Sequence, residues 1–105
     1  MMAGITERQR LAMAIDDACR AAKEKALRKY DEGRRDWNNH SDTGMDFLFR
    51  GLMEETGELE EALLGPQFYN EPADMVNVAA EAVDVINFAA FIRYCAMKRS
   101  VTNDE

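Results

Sequence analysis

The sequence predicts an all-α fold, and three observations carry that prediction. Apolar residues recur at helical spacing in three long stretches. No stretch alternates with the period of a strand. Both prolines, Pro66 and Pro72, fall in one short interval, so the remaining chain is free of proline. With 105 residues the chain fits a single domain spanning 1–105 and can bury a core without disulfides.

The first helix is expected from Ile5 or Thr6 to near Glu32, with Thr6 as N-cap and Gly33 as the stop. Leu11, Ile15, Ala18, Ala22 and Ala26 form its narrow apolar stripe. Arg34 to Thr43 reads as a loop holding Trp37 and His40. The second helix follows Asp42 or Thr43 and runs to Leu64, where Gly65-Pro66 ends it. Phe49, Leu52, Thr56, Leu59 and Leu63 are its expected buried face. After a loop from Gly65 to Pro72, the third helix runs from Ala73 to Met97 and is apolar nearly all round, with Ser100 to Glu105 a frayed tail. A helix apolar on every side needs more cover than two neighbours give. The expectation is therefore a bundle of three main helices completed by homo-oligomerisation, as a homodimer or homotetramer, with the third helix near the interface.

Charge and composition narrow the function. Apolar residues are 47% and charged residues 31%, too hydrophobic a mix for disorder. No run approaches ~18 consecutive apolar residues, and the start lacks a signal pattern, so neither a membrane nor export is expected and the cytoplasm is the expected location. Cys19 and Cys95 are isolated and read as reduced helix residues. The single histidine, His40, removes most histidine-based metal and triad chemistry. The net charge of −7 argues against nucleic acid as partner. Its distribution says more. Between Gly44 and Asp84 stand ten acids and one base, Arg50, whereas Arg20 to Arg35 holds seven bases. An acidic middle beside a basic arm suits a cation site that receives an anionic ligand, and it also suits an ordinary solvated surface.

The acids are not scattered. On the second helix Glu54, Glu58 and Glu61 share a face, with Glu55 one step round. The third helix interrupts its apolar run with Asn77, Glu81 and Asp84 in a stripe about 60° wide, and with Asn87 just beyond its edge. Two carboxylates ~5 Å apart repel by roughly 3 kcal/mol at an effective dielectric of 20. Arg50 is the only base close in sequence. A solvated acidic face explains Glu60, and extends to Glu54 and Glu61, but it fails for Glu81 and Asp84 inside an apolar helix. A di-iron bundle would need Glu-x-x-His pairs, which this chain lacks. An all-carboxylate site for Mg²⁺, or Mn²⁺ in its place, is the third reading.

Glu54-Glu55-x-x-Glu58, a spacer of 22 residues, and Glu81-x-x-Asp84 resemble the signature of MazG-like nucleoside triphosphate pyrophosphohydrolases, of the all-α NTP pyrophosphatase superfamily. The resemblance covers about Trp37 to Arg93, within a family-like span of 35–97, and no second acidic repeat is present. It implies hydrolysis of a nucleoside triphosphate, with non-standard and deoxy substrates as candidates, to monophosphate and pyrophosphate, in nucleotide-pool housecleaning. It also implies Glu55, Glu58, Glu81 and Asp84 as Mg²⁺ ligands, with Glu54 or Glu61 as the catalytic carboxylate that orients water. Asn87, Trp37 and His40 become candidates for sugar or base, and Trp37 is equally readable as a lid packed on the bundle. Arg28, with Lys25, Lys29, Arg34 and Arg35, is a candidate for the triphosphate, although most of these bases are expected on solvated surface. The alternative function is a non-enzymatic acidic helical interaction protein, and dependence on a divalent metal separates the two.

Overall fold

Each helix begins where the sequence supplies a cap. In the computed structural model, which describes residues 4–103, α1 spans Glu7–Asp31, α2 Asp42–Leu64 and α3 Met75–Asn103, with no strand among the described residues. Thr6 and Gln9 form a reciprocal capping box: the Thr6 hydroxyl accepts from the Gln9 N–H at 3.1 Å, and Gln9 Oε1 accepts from the Thr6 N–H at 2.9 Å. Ser41 caps α2 by accepting from the Gly44 N–H at 3.1 Å. Asp74 does the same for α3, accepting from the N–H groups of Val76 and Asn77 at 3.0 and 3.3 Å. At the end of α1, Gly33 adopts φ 100°, while the N–H groups of Gly33 and Arg34 reach back to the carbonyls of Tyr30 and Lys29. This is the Schellman stop that favours glycine at that position.

The boundaries differ from the expectation in three places. Ser41 rather than Asp42 is the cap of α2, and the preceding loop contains a 3-10 turn at Asp36–Asn38. Gly65-Pro66 does not release the chain into a loop but tightens it into a 3-10 turn over Gly65–Tyr69, closed by Asn70 at φ 56°. The third helix starts at Met75, beyond its Asp74 cap, and continues to Asn103, so the expected fraying from Ser100 does not occur through that residue. Asp104 and Glu105 lie outside the described residues.

The third helix is the hub. It packs along α2 and against α1, whereas α1 and α2 do not meet each other among the described residues. Arg99 near the end of α3 pairs with Asp42 at the start of α2 at 2.6 Å, tying one end of that helix pair. At the crossing of α2 and α3 a Cβ on Gly51 would stand 2.3 Å from the Phe88 ring, so only glycine permits this approach. By length and composition alone Met75–Val101 would suffice to cross a bilayer, yet it carries Glu81, Asp84 and Asn87 and packs against two polar helices.

The buried faces correct two of the apolar stripes. On α2, Phe49, Thr56 and Leu63 are exposed, and the inward seam runs through Met45, Leu48, Leu52, Glu55, Leu59 and Ala62. This is a three–four spacing that places one acid among the apolar residues. On α1 only Ala18, Ala22, Lys25 and Ala26 are covered, while Leu11 and Ile15 remain 61% and 53% exposed. The fully covered apolar set among the described residues is Ala22, Leu48 and Cys95.

Dimensions tell the same story. The radius of gyration is 17.1 Å, against about 13 Å for a compact domain of 100 residues. The accessible surface is 8385 Å², about 2,400 Å² above the roughly 5,950 Å² of a compact monomer of 11.9 kDa.

Candidate functional site

The α2–α3 seam brings acids from both helices to one place. Carboxylate oxygens of Glu55, Glu81 and Asp84 all lie within 4.8 Å of one another, and each of the three side chains is half-buried. One oxygen of Glu55 and one of Glu81, both Oε2, are shielded from solvent and have no hydrogen-bond partner among the described residues. Glu58, one turn from Glu55 and on the exposed side, neighbours both.

The electrostatics follow from this crowding. Burial first, then hydrogen bonding with Glu58 and repulsion from Glu58, Asp84 and Glu81, push the Glu55 carboxyl from 4.5 up to about 7. Glu81 is raised by burial and by Glu58 and Asp84, with Lys25 pulling the other way. Lys25 of α1 donates to Asp84 Oδ1 and is the base in contact with the cluster.

Two hollows meet at these acids. A cavity of about 200 Å³ is lined on its apolar side by Trp37, Phe47, Phe88 and Phe91. Lys25, Lys29 and Arg34 supply its basic side, Glu55 and Asp84 its acidic wall, and Asn87, 9% exposed, its amide. On the far side an open groove of about 470 Å³ runs past Glu58, Glu61 and Glu81 toward Asn77 and Tyr69. The carboxylates are thus the partition between an aromatic hollow and an acidic one.

The structure therefore gathers Glu55, Glu58, Glu81, Asp84, Asn87 and Trp37, while Glu61 lies on the groove side. Glu54 and Glu61 are both exposed, and Glu54 lines neither hollow. Arg28 is exposed and His40 half-buried, and neither belongs to the aromatic cavity, where Lys25, Lys29 and Arg34 stand instead. Trp37 also works as packing. Its ring lies 5.2 Å from Tyr94 and 6.2 Å from Phe91, and its carbonyl accepts from the Cys95 thiol at 3.5 Å.

Sequence reasoning passed over Phe47 and Phe88 as cavity walls, and it did not separate Lys25 from its basic neighbours. A three–four period through Leu48, Leu52 and Leu59 would have marked Glu55 as inward-facing; nothing local distinguishes Lys25.

No protein-family model, curated protein or solved structure matches this chain. The site is defined by its own geometry: an all-α chain with a carboxylate cluster walled between two helices and faced by a basic, aromatic cavity.

Proposed function

We propose that this chain is a homo-oligomeric, Mg²⁺-dependent nucleoside triphosphate pyrophosphohydrolase that releases the nucleoside monophosphate and pyrophosphate. One observation carries the reading: Glu55 and Glu81 converge with Asp84 from two packed helices onto the wall of a cavity that is aromatic and basic on its other sides. The donors are oxygen only, two buried carboxylate oxygens lack partners among the described residues, and the Lys25 ammonium pairs with the set at Asp84. That chemistry fits a hard divalent cation, Mg²⁺ or Mn²⁺, and not a soft or histidine-ligated metal. Glu55, Glu58, Glu81 and Asp84 would hold it.

When bound, Mg²⁺ supplies charge neutralisation on the phosphates and lowers the pKa of an attacking water. The chain's own residues do the rest. About 200 Å³ falls short of the ~300 Å³ at which small-molecule pockets begin, so the cavity takes a nucleobase-sized group and leaves the triphosphate along the acidic wall. Trp37, Phe47, Phe88 and Phe91 give the base apolar faces to stack on, and Asn87 offers an amide for sugar or base. Lys29 and Arg34 give the phosphates counter-charge. Glu61, on the groove side beside Glu58 and Glu81, is better placed than Glu54 to orient a water.

A second copy covers the remaining apolar surface. The excess of about 2,400 Å² exceeds the ~800 Å² that each partner buries in a standard interface and falls in the obligate range. Lipid is the poorer cover for α3, because Glu81 and Asp84 would be carried into the hydrocarbon region. We read the chain as a water-soluble enzyme, with the cytoplasm as its proposed location.

The test is pyrophosphate release from canonical and modified NTPs and dNTPs, with Mg²⁺ and with EDTA. Metal-dependent release from any of them supports the reading. Silence across the panel from folded protein that binds no Mg²⁺ overturns it in favour of an acidic interaction protein.

A further inference from the structure

The acidic cluster carries a cation of its own. Of the seven bases between Arg20 and Arg35, six are exposed and Lys25 is half-buried, turned with Ala22 and Ala26 toward α3. Its ammonium contacts Asp84 across the two helices, 59 residues away in sequence, with both side chains partly shielded (31% and 22% exposed). It also lines the aromatic cavity together with Lys29 and Arg34. An ammonium is a compact point charge on a flexible stem, with three donors and no fixed fork, so it exchanges one oxygen partner for another without reshaping the site. It competes with a hard divalent ion for the same kind of oxygen.

We propose that Lys25 is a two-position residue: it serves as the counter-ion of Asp84 until a divalent cation enters the cluster, then turns from Asp84 to the phosphate chain lying along the acidic wall. This inference rests on the metal reading above. The charges require such a move. Lys25 and a divalent ion repel each other when both crowd Asp84, and a phosphate chain entering beside Lys29 and Arg34 gives the displaced ammonium a new partner. Lys25 thereby weakens metal binding in the absence of ligand and strengthens anion binding in its presence. The cluster would be loaded fully only when metal and phosphate arrive together.

The experiment measures two affinities in Lys25→Met, which keeps the stem and removes the charge. Binding of Mn²⁺ alone is followed by electron paramagnetic resonance. Binding of inorganic tripolyphosphate at saturating Mn²⁺ is followed by calorimetry. The expected result is opposite changes: Mn²⁺ alone binds about fivefold tighter and tripolyphosphate about fivefold weaker, the scale of a partly exposed ion pair. Lys25→Arg, which retains the charge, should keep Mn²⁺ affinity near that of the unaltered protein. A strut that merely pins α1 to α3 would lower the melting temperature without tightening Mn²⁺, and that outcome overturns the proposal. Lys25→Gln repeats the measurement should the methionine variant lose its helical circular dichroism. Unaltered protein that binds no Mn²⁺ overturns the metal reading and this inference together, whereas unaltered protein that binds Mn²⁺ no differently from Lys25→Met overturns this inference alone.

Discussion

Glu81 and Asp84 show why the residue scale decides this chain's chemistry. Each interrupts an apolar helix, and each has a carboxylate oxygen within 4.8 Å of the other's and of one on Glu55; for Glu81, burial first and then Glu58 and Asp84 raise the cost of its charge. Replacing Glu81 by Gln should cut metal-dependent turnover on the order of 10²-fold or more. The same change should raise the melting temperature of the metal-free protein, since it relieves repulsion and leaves the helix intact. Activity assays and thermal melts in EDTA check both directions. Glu55 adds a pH signature. Its carboxyl rises from 4.5 to about 7 in the fold, so the folded state holds the proton more tightly than the unfolded chain. Its contribution to stability is complete below 4.5, declines as pH climbs, and is lost above about 7. Melting curves in EDTA between those limits should show this decline, and Glu55→Gln should flatten it. The acids themselves were legible from sequence, because two carboxylates at helical spacing in an apolar run need a partner that their own helix does not supply. Lys25 was not, since its partner is 59 residues away and its immediate neighbours are also basic.

At the scale of elements, the caps and stops were readable where a single residue type enforces them. Thr6, Gly33 and Leu64 fall at or beside the ends the sequence indicated. The inward face of α2 lies about one position from the expected stripe: Phe49, Thr56 and Leu63 are exposed, and Leu48, Glu55 and Ala62 turn inward in their place. The seam through Leu48, Leu52, Glu55 and Leu59 is set by α3 instead. That seam closes at Gly51, where the Phe88 ring takes the space of a Cβ. Gly51→Ala should cost about 1–3 kcal/mol by overpacking, measured by denaturant unfolding. Phe88 lines the cavity as well, so ligand affinity should fall with it.

The whole molecule is a hub with two unequal arms. α2 lies along α3 and is tied by Arg99 and Asp42, whereas α1 is held through its C-terminal half alone. Its stripe at Leu11 and Ile15 has the period of a buried face yet stays more than half exposed among the described residues, which sequence periodicity cannot reveal. Light scattering should therefore give a mass that is a multiple of 11.9 kDa, and Leu11→Glu with Ile15→Glu should shift it toward one chain and lower the melting temperature. The one-sided support of α1 has a further consequence for backbone amides. Helical hydrogen bonds in its first turns, where the side chains from Glu7 to Asp17 are all exposed, open by local fraying without disturbing α3. Deuterium should enter the segment from Glu7 to Asp17 quickly in dilute solution and slowly in concentrated solution. The α2–α3 seam should take it up at one rate throughout, so dilution would separate protection conferred by the chain's own fold from protection lent by a neighbouring copy.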